Sequence, residues 1–139
     1  MKTYKGFRDE FYFLSNMFPC DCEYKGYKFT CSEALFQALK CKHKKDIDKF
    51  VGIDGYTAKR IGRKIELRSD WNEIRLNAMK TALYVKFVNN IGLRSALRNT
   101  GDIELIEVNS WNDRYWGVCN GVGENNLGKL LMEFRSKLK

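Results

Sequence analysis

The segment from Ser32 to Lys40 distributes its apolar and polar positions in a way that is unusual for a helix. At about 100° per residue, Glu33, Gln37 and Lys40 share one narrow stripe, and apolar side chains fill the rest of the circumference. A helix at a protein surface shows the reverse, with one apolar stripe and a broad polar face. The pattern predicts a buried helix over 32–41, with Ser32 as its N-cap and a polar stripe facing a partner or a polar cavity. A buried Glu–Lys pair with a purely structural role fits the same spacing.

Shorter elements are predicted along the rest of the chain. Alternation around Lys25-Gly26 indicates a hairpin, and Asp70 with Glu73 has the spacing of a helix capping box. Because helices outnumber strands, the pattern predicts one compact, mainly helical α+β domain over residues 1–139. The predicted elements are a hairpin over 23–30, helices over about 46–52, 57–63, 71–89, 93–98 and 127–138, and a strand over 103–108.

One face of the predicted 71–89 helix mixes aromatic, small and basic side chains. Two interpretations fit: core packing with buried cationic stems, or a ligand wall in which the indole stacks on a base. Spacing alone favours packing. The residues on this face are Trp71, Arg75, Ala78, Met79, Ala82 and Lys86.

Composition and charge limit the classes of partner. The chain has 139 residues, 44% of them hydrophobic, which is enough to build a core. Its net charge of +8 favours an anionic partner, either a phosphorylated small molecule or a nucleic acid, without distinguishing the two. The Lys42–Lys45 cluster is typical of a solvated face. Apolar runs are too short to span a membrane, and the start lacks a signal-like apolar segment, so we expect a cytoplasmic protein with no membrane partner.

The cysteines favour reduced thiols over a disulfide framework. They are five in number and unevenly spaced. Cys20 and Cys22, with Cys31, suggest zinc, but the only histidine is His43 and no second cysteine pair completes a tetrahedral site. We therefore expect neither a metal nor a cofactor.

Four further polar clusters carry candidate chemistry. Singly, each is typical of structure: Asp113 as a turn cap, Trp116 as core, and the glycines as a loop whose amides are weak candidates for binding phosphate. Together they supply carboxylates, aromatic surfaces and amides that suit a nucleotide or ribosyl ligand and glycosidic cleavage. The clusters are residues 13–16, 107–113, 113–117 and 121–128.

In this order, these clusters resemble the NADAR (YbiA-like) family, whose name refers to a proposed link to NAD and ADP-ribose. The resemblance covers nearly the whole chain. It rests on Phe13-Leu14-Ser15-Asn16, Ser32-Glu33 with Gln37 and Lys40, Trp71 with Arg75 and Met79, Lys86-Phe87, Thr100-Gly101-Asp102, Leu105-Ile106-Glu107, Asp113 with Trp116-Gly117, Gly123, Asn126-Leu127-Gly128, and Leu131-Met132 with Arg135.

The resemblance implies a compact, mainly helical α+β fold and a hydrolase that cleaves N-glycosidic bonds. Some members of the family act on ribosylamino-pyrimidine phosphates of riboflavin synthesis, and others remove ADP-ribose from guanine. The implied partner is therefore a phosphorylated ribosyl small molecule or ADP-ribosylated guanine, and nucleic acid is a possible carrier of the latter. A non-catalytic module that binds ADP-ribose or a nucleotide is the alternative.

Position by position, the resemblance also implies the site. Lys40 has two open roles there: binding phosphate or holding Glu33, or attacking C1′ of an opened sugar to form a Schiff base. The implied catalytic residues are Glu33, Lys40 and Asp113, and the implied substrate-binding residues are Asn16, Trp71, Arg75, Trp116 and Asn126.

Overall fold

The computed structural model of the protein describes residues 3–138, with the side chains of residues 6–138. The fold is mainly helical α+β, as predicted, whereas residues 1 and 139, the predicted domain limits, lie outside the described residues. The strands are β1 (Thr3–Lys5), β2 (Cys22–Tyr24), β3 (Tyr27–Phe29) and β4 (Glu104–Ile106). The α-helices are α1 (Ser32–Ala38), α2 (Lys44–Ile47), α3 (Gly55–Gly62), α4 (Trp71–Asn89), α5 (Ile91–Asn99) and α6 (Asn126–Ser136), and 3₁₀ turns cover Asp9–Leu14 and Asp48–Phe50.

The chain forms two compact units, which are described separately. Unit I comprises residues 16–91, and unit II comprises residues 3–15 and 92–138 of the described chain. In residues 3–138, no helix combines the length and the apolar composition needed to cross a bilayer.

Unit I contains the predicted hairpin and the predicted buried helix. Strands β2 and β3 pair antiparallel, and Lys25 and Gly26 between them have φ of 50° and 86°. Positive φ at both central positions is typical of a type I′ turn, which matches the twist of the two strands. Every residue of α1 is buried, as its apolar circumference predicts.

Helix α1 lies close to α3 because small residues line the facing side of α3. Gly55, Ala58 and Gly62 are all buried there. A Cβ atom placed on Gly62 would collide with the Gln37 side chain, and one on Gly55 would collide with the Met17 sulfur. The polar stripe of α1 is therefore turned toward the backbone of α3.

The helix caps differ from the prediction. Ser32 is the first residue of α1 rather than its N-cap; Cys31 takes that position, and the Ser32 hydroxyl bonds to Asn16 instead. Asp70 does precede α4, but its side chain caps no amide, since both carboxylate oxygens pair with the Arg68 guanidinium at 2.6 and 3.0 Å. In each case another partner replaces the capping bond: the distant Asn16 for Ser32, and the sequence neighbour Arg68 for Asp70.

The mixed face of α4 is largely core, as its spacing favours. Trp71, Met79 and Ala82 are buried, and Lys86 is fully buried at 0% exposure. Arg75 on the same face is half-buried.

Unit II is built around a pairing that periodicity did not predict. Strand β1 pairs parallel with β4, placing Tyr4 opposite Leu105. Helix α6 packs on β4 through Gly128, where an added Cβ would collide with the Leu105 carbonyl oxygen. The absence of a side chain at Gly128 therefore allows α6 to lie close to the backbone of β4.

Candidate active site

Asn16 attaches the first turn of α1 to the rest of unit I. Its backbone carbonyl accepts the Glu33 N–H at 3.0 Å, and its side-chain Oδ1 accepts the Ser32 hydroxyl at 2.8 Å. Its Nδ2 donates to the Met79 sulfur at 3.2 Å. Both polar atoms of the buried Asn16 side chain are thus used within the chain, which makes Asn16 a positioning residue for Glu33. Direct contact of Asn16 with substrate stays a prediction.

Glu33 and Gln37 form a buried pair one helical turn apart. The Gln37 amide nitrogen donates to Glu33 Oε2 at 2.5 Å, and the two residues are 8% and 3% exposed. The Gln37 carbonyl oxygen is buried without a hydrogen-bond partner in the described structure and lies against Gly62. Since a carboxylate only accepts, the amide nitrogen must face it. Gln37 therefore orients the Glu33 carboxylate.

Lys40 follows the end of α1 and is half-buried. Its Nζ lies 5.5 Å from the centroid of the Phe36 ring and 5.7 Å from that of Trp71. Burial lowers the pKa of Lys40, the Glu33 charge partly offsets this, and the charges of Lys59 and Arg63 lower it further. The amine is therefore neutral more often at neutral pH than that of a solvated lysine.

Trp71 forms an aromatic wall beside Lys40. The indole is 9% exposed, and its ring centroid lies 5.3 Å from that of Phe36, with the planes tilted by 55°. Arg75 lies one turn further along α4. The indole therefore contacts a ring and lies near a cation within the chain. Its stacking on a substrate base stays a prediction, as does contact of Arg75 with substrate.

The other predicted site residues lie in unit II and shape one turn. Asp113 Oδ1 accepts the backbone N–H groups of Tyr115 and Trp116 at 3.2 and 2.9 Å. The Asn126 side chain donates to the Tyr115 carbonyl at 2.9 Å. The Tyr115 and Trp116 rings meet edge to face at 4.7 Å. Asp113 is thus the turn cap that its position alone suggests, and its catalytic role stays a prediction.

Four amides of the glycine-rich segment, which the sequence offered as weak candidates for binding phosphate, are used within the chain. The N–H groups of residues 124–127 donate to the carbonyls of residues 114–117, at distances of 2.8 to 3.2 Å. These bonds fasten the segment to the turn that Asp113 caps. These four amides are therefore not available to a phosphate.

Thiol and imidazole groups are placed as follows. All five cysteines are free thiols. His43 lies near Glu66, with its Nε2 2.9 Å from Glu66 Oε1. Within the described residues, no cluster of three or more His, Cys, Asp or Glu side chains is arranged to hold a metal ion.

For some residues that build this site, the sequence analysis assigned no function. Phe36 and Gln37 were within the predicted helix, but neither was assigned a role. Their spacing in the sequence could have indicated these functions. Phe36 lies four residues before Lys40, and Gln37 lies four residues after Glu33, so each pair shares one face of a helix. The stripe of small residues in α3 was visible in the sequence too, as Gly55, Ala58 and Gly62.

The sequence of the chain identifies its family. The family model described as NADAR domain matches residues 3–139, and the chain belongs to that family. Among individual proteins, the chain is 34% identical over 134 residues to the N-glycosidase YbiA of Escherichia coli K12, covering 94% of this chain and 83% of that protein. It resembles the NMR structure of E. coli YbiA with a TM-score of 0.87 at 31% identity, covering 98% of this chain and 84% of that one.

A second relative is much longer than this chain. The chain is 35% identical over 131 residues to a riboflavin biosynthesis protein of Vibrio vulnificus. The match covers 91% of this chain but 35% of the Vibrio protein.

Proposed function

We propose that this chain is an N-glycosidase, a hydrolase that breaks the C–N bond at the anomeric carbon of a phosphorylated ribose. Relatives named N-glycosidase and riboflavin biosynthesis protein support the reaction class, and ribosylamino-pyrimidine phosphates fit both names. The observation that carries the proposal is the buried Glu33 carboxylate. Gln37 orients this carboxylate, and the charge of Glu33 acts on the half-buried Lys40 amine.

Glu33 suits proton transfer. Cleavage requires a proton at the leaving nitrogen and stabilisation of the positive charge that develops at C1′. The hydrogen bond from Gln37 fixes the Glu33 carboxylate, and the Asn16 carbonyl fixes the backbone that carries it. A carboxylate held in this way needs little reorganisation during the reaction, which is the main source of electrostatic catalysis.

Lys40 suits attack on C1′. A ribosylamine opens its ring to an imine between C1′ and the exocyclic nitrogen. The neutral Lys40 amine adds to C1′, Glu33 moves a proton to the departing nitrogen, and the amine of the base leaves as a Lys40 Schiff base forms. Water then releases the ribose aldehyde and regenerates the amine. The lowered pKa of Lys40 supports this route, because only the neutral amine is a nucleophile.

A competing route keeps Lys40 charged. The charges of Lys59 and Arg63 lower the pKa of Lys40 in the free protein, but a substrate phosphate bound among these cations would offset that effect and keep Lys40 charged. In this route Glu33 activates water for direct attack on C1′, and no covalent intermediate forms. Borohydride separates the routes: reduction during turnover traps a sugar phosphate on Lys40 in the first route and leaves Lys40 unmodified in the second.

The deciding experiment is a mass-spectrometric release assay on two substrates, a ribosylamino-pyrimidine phosphate and guanine-ADP-ribosylated DNA. We expect free pyrimidine from the first, together with its loss in Lys40→Ala and its retention in the exposed control Lys42→Ala. Release of ADP-ribose from the second alone would assign the chain to nucleic-acid repair instead. Cleavage of neither, with nucleotide binding retained, would identify a binding module.

A further inference from the structure

Unit I contains a second group of reactive side chains that the proposed reaction does not use. Cys20 and Cys22 face each other with their sulfur atoms 3.9 Å apart. Cys22 is buried at 1% exposure, as is Cys31, whereas Cys20 is half-buried. One thiol of the pair is therefore accessible to a small oxidant, and the other is held beside it away from solvent.

The buried Lys86 lies within electrostatic reach of these thiols. Its Nζ is packed among aromatic rings, 5.5 Å from the Phe87 centroid and 5.9 Å from that of Phe18. Burial lowers the pKa of Lys86 to about 8, while the charges of Cys20, Cys22 and Cys31 raise it. A buried ammonium stabilises a nearby thiolate and opposes a bound metal cation at the same place. The cluster is therefore suited to oxidation rather than to metal binding.

The two thiols of the pair are not equivalent. The hydrogen bond with Cys22 lowers the pKa of Cys20, and the charge of Lys86 lowers it further, whereas burial raises it. The same hydrogen bond and burial raise the pKa of Cys22. Cys41, which is also half-buried, provides an internal comparison, since burial raises its pKa to about 11. Cys20 and Cys41 are therefore similar in exposure, but their pKa values are shifted in opposite directions. Cys20 is the one that forms a thiolate more readily.

We propose that Cys20 and Cys22 form a peroxide-sensitive dithiol, in which Cys20 reacts first and Cys22 then closes a disulfide with it. The Cys20 thiolate attacks hydrogen peroxide, the O–O bond breaks, and Cys20 sulfenic acid and hydroxide form. The Cys22 sulfur then attacks Cys20, the S–S bond forms, the S–O bond breaks, and the Cys22 proton leaves with the hydroxyl as water. Two thiols are oxidised and one peroxide is reduced to two waters.

Stepwise addition of hydrogen peroxide to the reduced full-length protein tests the proposal, with free thiols then blocked by N-ethylmaleimide. Trypsin releases residues 9–25, which contain both Cys20 and Cys22, and cleavage after glutamate releases residues 34–66, which contain Cys41. We expect the 9–25 peptide to lose two hydrogen atoms and escape blocking while Cys41 is still blocked. Equal oxidation of Cys41, or a disulfide joining 9–25 to the Cys31 peptide 29–40, would overturn the proposal.

Two variants test the separate roles. Cys22→Ser leaves no resolving thiol, so dimedone traps a sulfenic acid at Cys20 and no disulfide forms. Lys86→Met keeps the packed volume but removes the cation, and we expect Cys20 to oxidise at least about fivefold more slowly. A disulfide involving Cys20 in Cys22→Ser contradicts the pairing, and an unchanged rate in folded Lys86→Met contradicts the role of Lys86. If Lys86→Met does not fold, the result with Cys22→Ser decides.

Discussion

Helix α1 and the unit II segment 107–126 both collect polar side chains, but they use them differently. In α1, Gln37 donates to the carboxylate of Glu33, so one side chain orients another. In the unit II segment, Asp113 accepts from two backbone amides, and Asn125 accepts from the Glu107 N–H and donates to the Leu105 carbonyl. There, most side-chain bonds are to backbone, although the Asn109 amide also donates to the Glu107 carboxylate at 3.2 Å.

The difference follows from what the backbone of each region needs. A helix satisfies most of its own N–H and C=O groups, so its polar side chains remain available to one another and to a ligand. A loop has few backbone partners, and Asn and Asp side chains take their place. A polar residue in a buried helix is therefore stronger evidence for chemistry than the same residue in a loop.

The largest effect should come from removing the charge of Glu33. In Glu33→Gln, the new side chain still accepts from Gln37, so the fold is kept, while proton transfer is lost. We expect turnover to fall by about 10²–10⁴-fold, the usual contribution of general acid–base catalysis. Release assays and thermal melts check this against Glu73→Gln, an exposed change in α4. Turnover near that of the control would remove Glu33 from the mechanism.

Gly117 and Gly62 provide the next test. An added Cβ at Gly117 would collide with the backbone carbonyl of Glu107 as well as with its side chain, whereas at Gly62 it would collide with the Gln37 side chain alone. Since backbone moves less easily, Gly117→Ala should cost about 3 kcal/mol or more in the free energy of unfolding. In Gly62→Ala, the flexible Gln37 side chain can move, so the strain is smaller. The higher helix propensity of Ala contributes up to about 1 kcal/mol of stability, which offsets part of that strain.

The same pair separates stability from activity. Moving Gln37 in Gly62→Ala breaks its bond to Glu33, so we expect turnover to fall about tenfold or more in a folded protein, as for other bonds to charged groups. Urea unfolding followed by release assays on both variants measures the two effects. A Gly62→Ala protein with normal turnover would show that the Gln37–Glu33 bond does not matter for catalysis.

Much of this contrast was readable from the sequence. The stripe of Glu33, Gln37 and Lys40 was predicted from spacing, because a helix repeats every 3.6 residues whatever surrounds it. The position of Asp113 indicated a turn cap, but the amides that it caps and the bond from Asn126 to the same turn were not predicted, because loop backbone has no period that indicates which group a side chain meets. Strand β1 was missed because it exists only through pairing with β4, about a hundred residues away in sequence.

The capping errors have a similar origin. Ser32 and Asp70 are good N-cap residues by type, but each bonds to a partner that local sequence rules do not weigh, Asn16 and Arg68 respectively. When another partner takes the side chain, the predicted capping bond does not form. The first residue of the helix nevertheless changes by no more than one position. Helix position was therefore predicted better than helix chemistry.

Asp113 allows a smaller but sharper test. Asp113→Ala removes the cap from two amides and should cost about 1–2 kcal/mol in the free energy of unfolding, whereas Asp113→Asn keeps an acceptor and should cost much less. Urea unfolding measures this difference. If Asp113 also acts on substrate, as the family resemblance implies, Asp113→Asn loses turnover at nearly normal stability. Normal turnover in that variant would leave Asp113 with the cap alone.

The smallest effect is expected at Ser32. Ser32→Ala removes the hydroxyl that donates to Asn16 Oδ1 at 2.8 Å and leaves that buried oxygen without its donor. We expect a loss of about 1 kcal/mol in the free energy of unfolding, reduced slightly by the better helix propensity of Ala. Exposed Ser69→Ala is the matched control. The bond from the Glu33 N–H to the Asn16 carbonyl remains, so Glu33 keeps its place and turnover should stay near normal. A large loss of turnover at this small cost in stability would mean that the side chain of Asn16, rather than its backbone, positions Glu33.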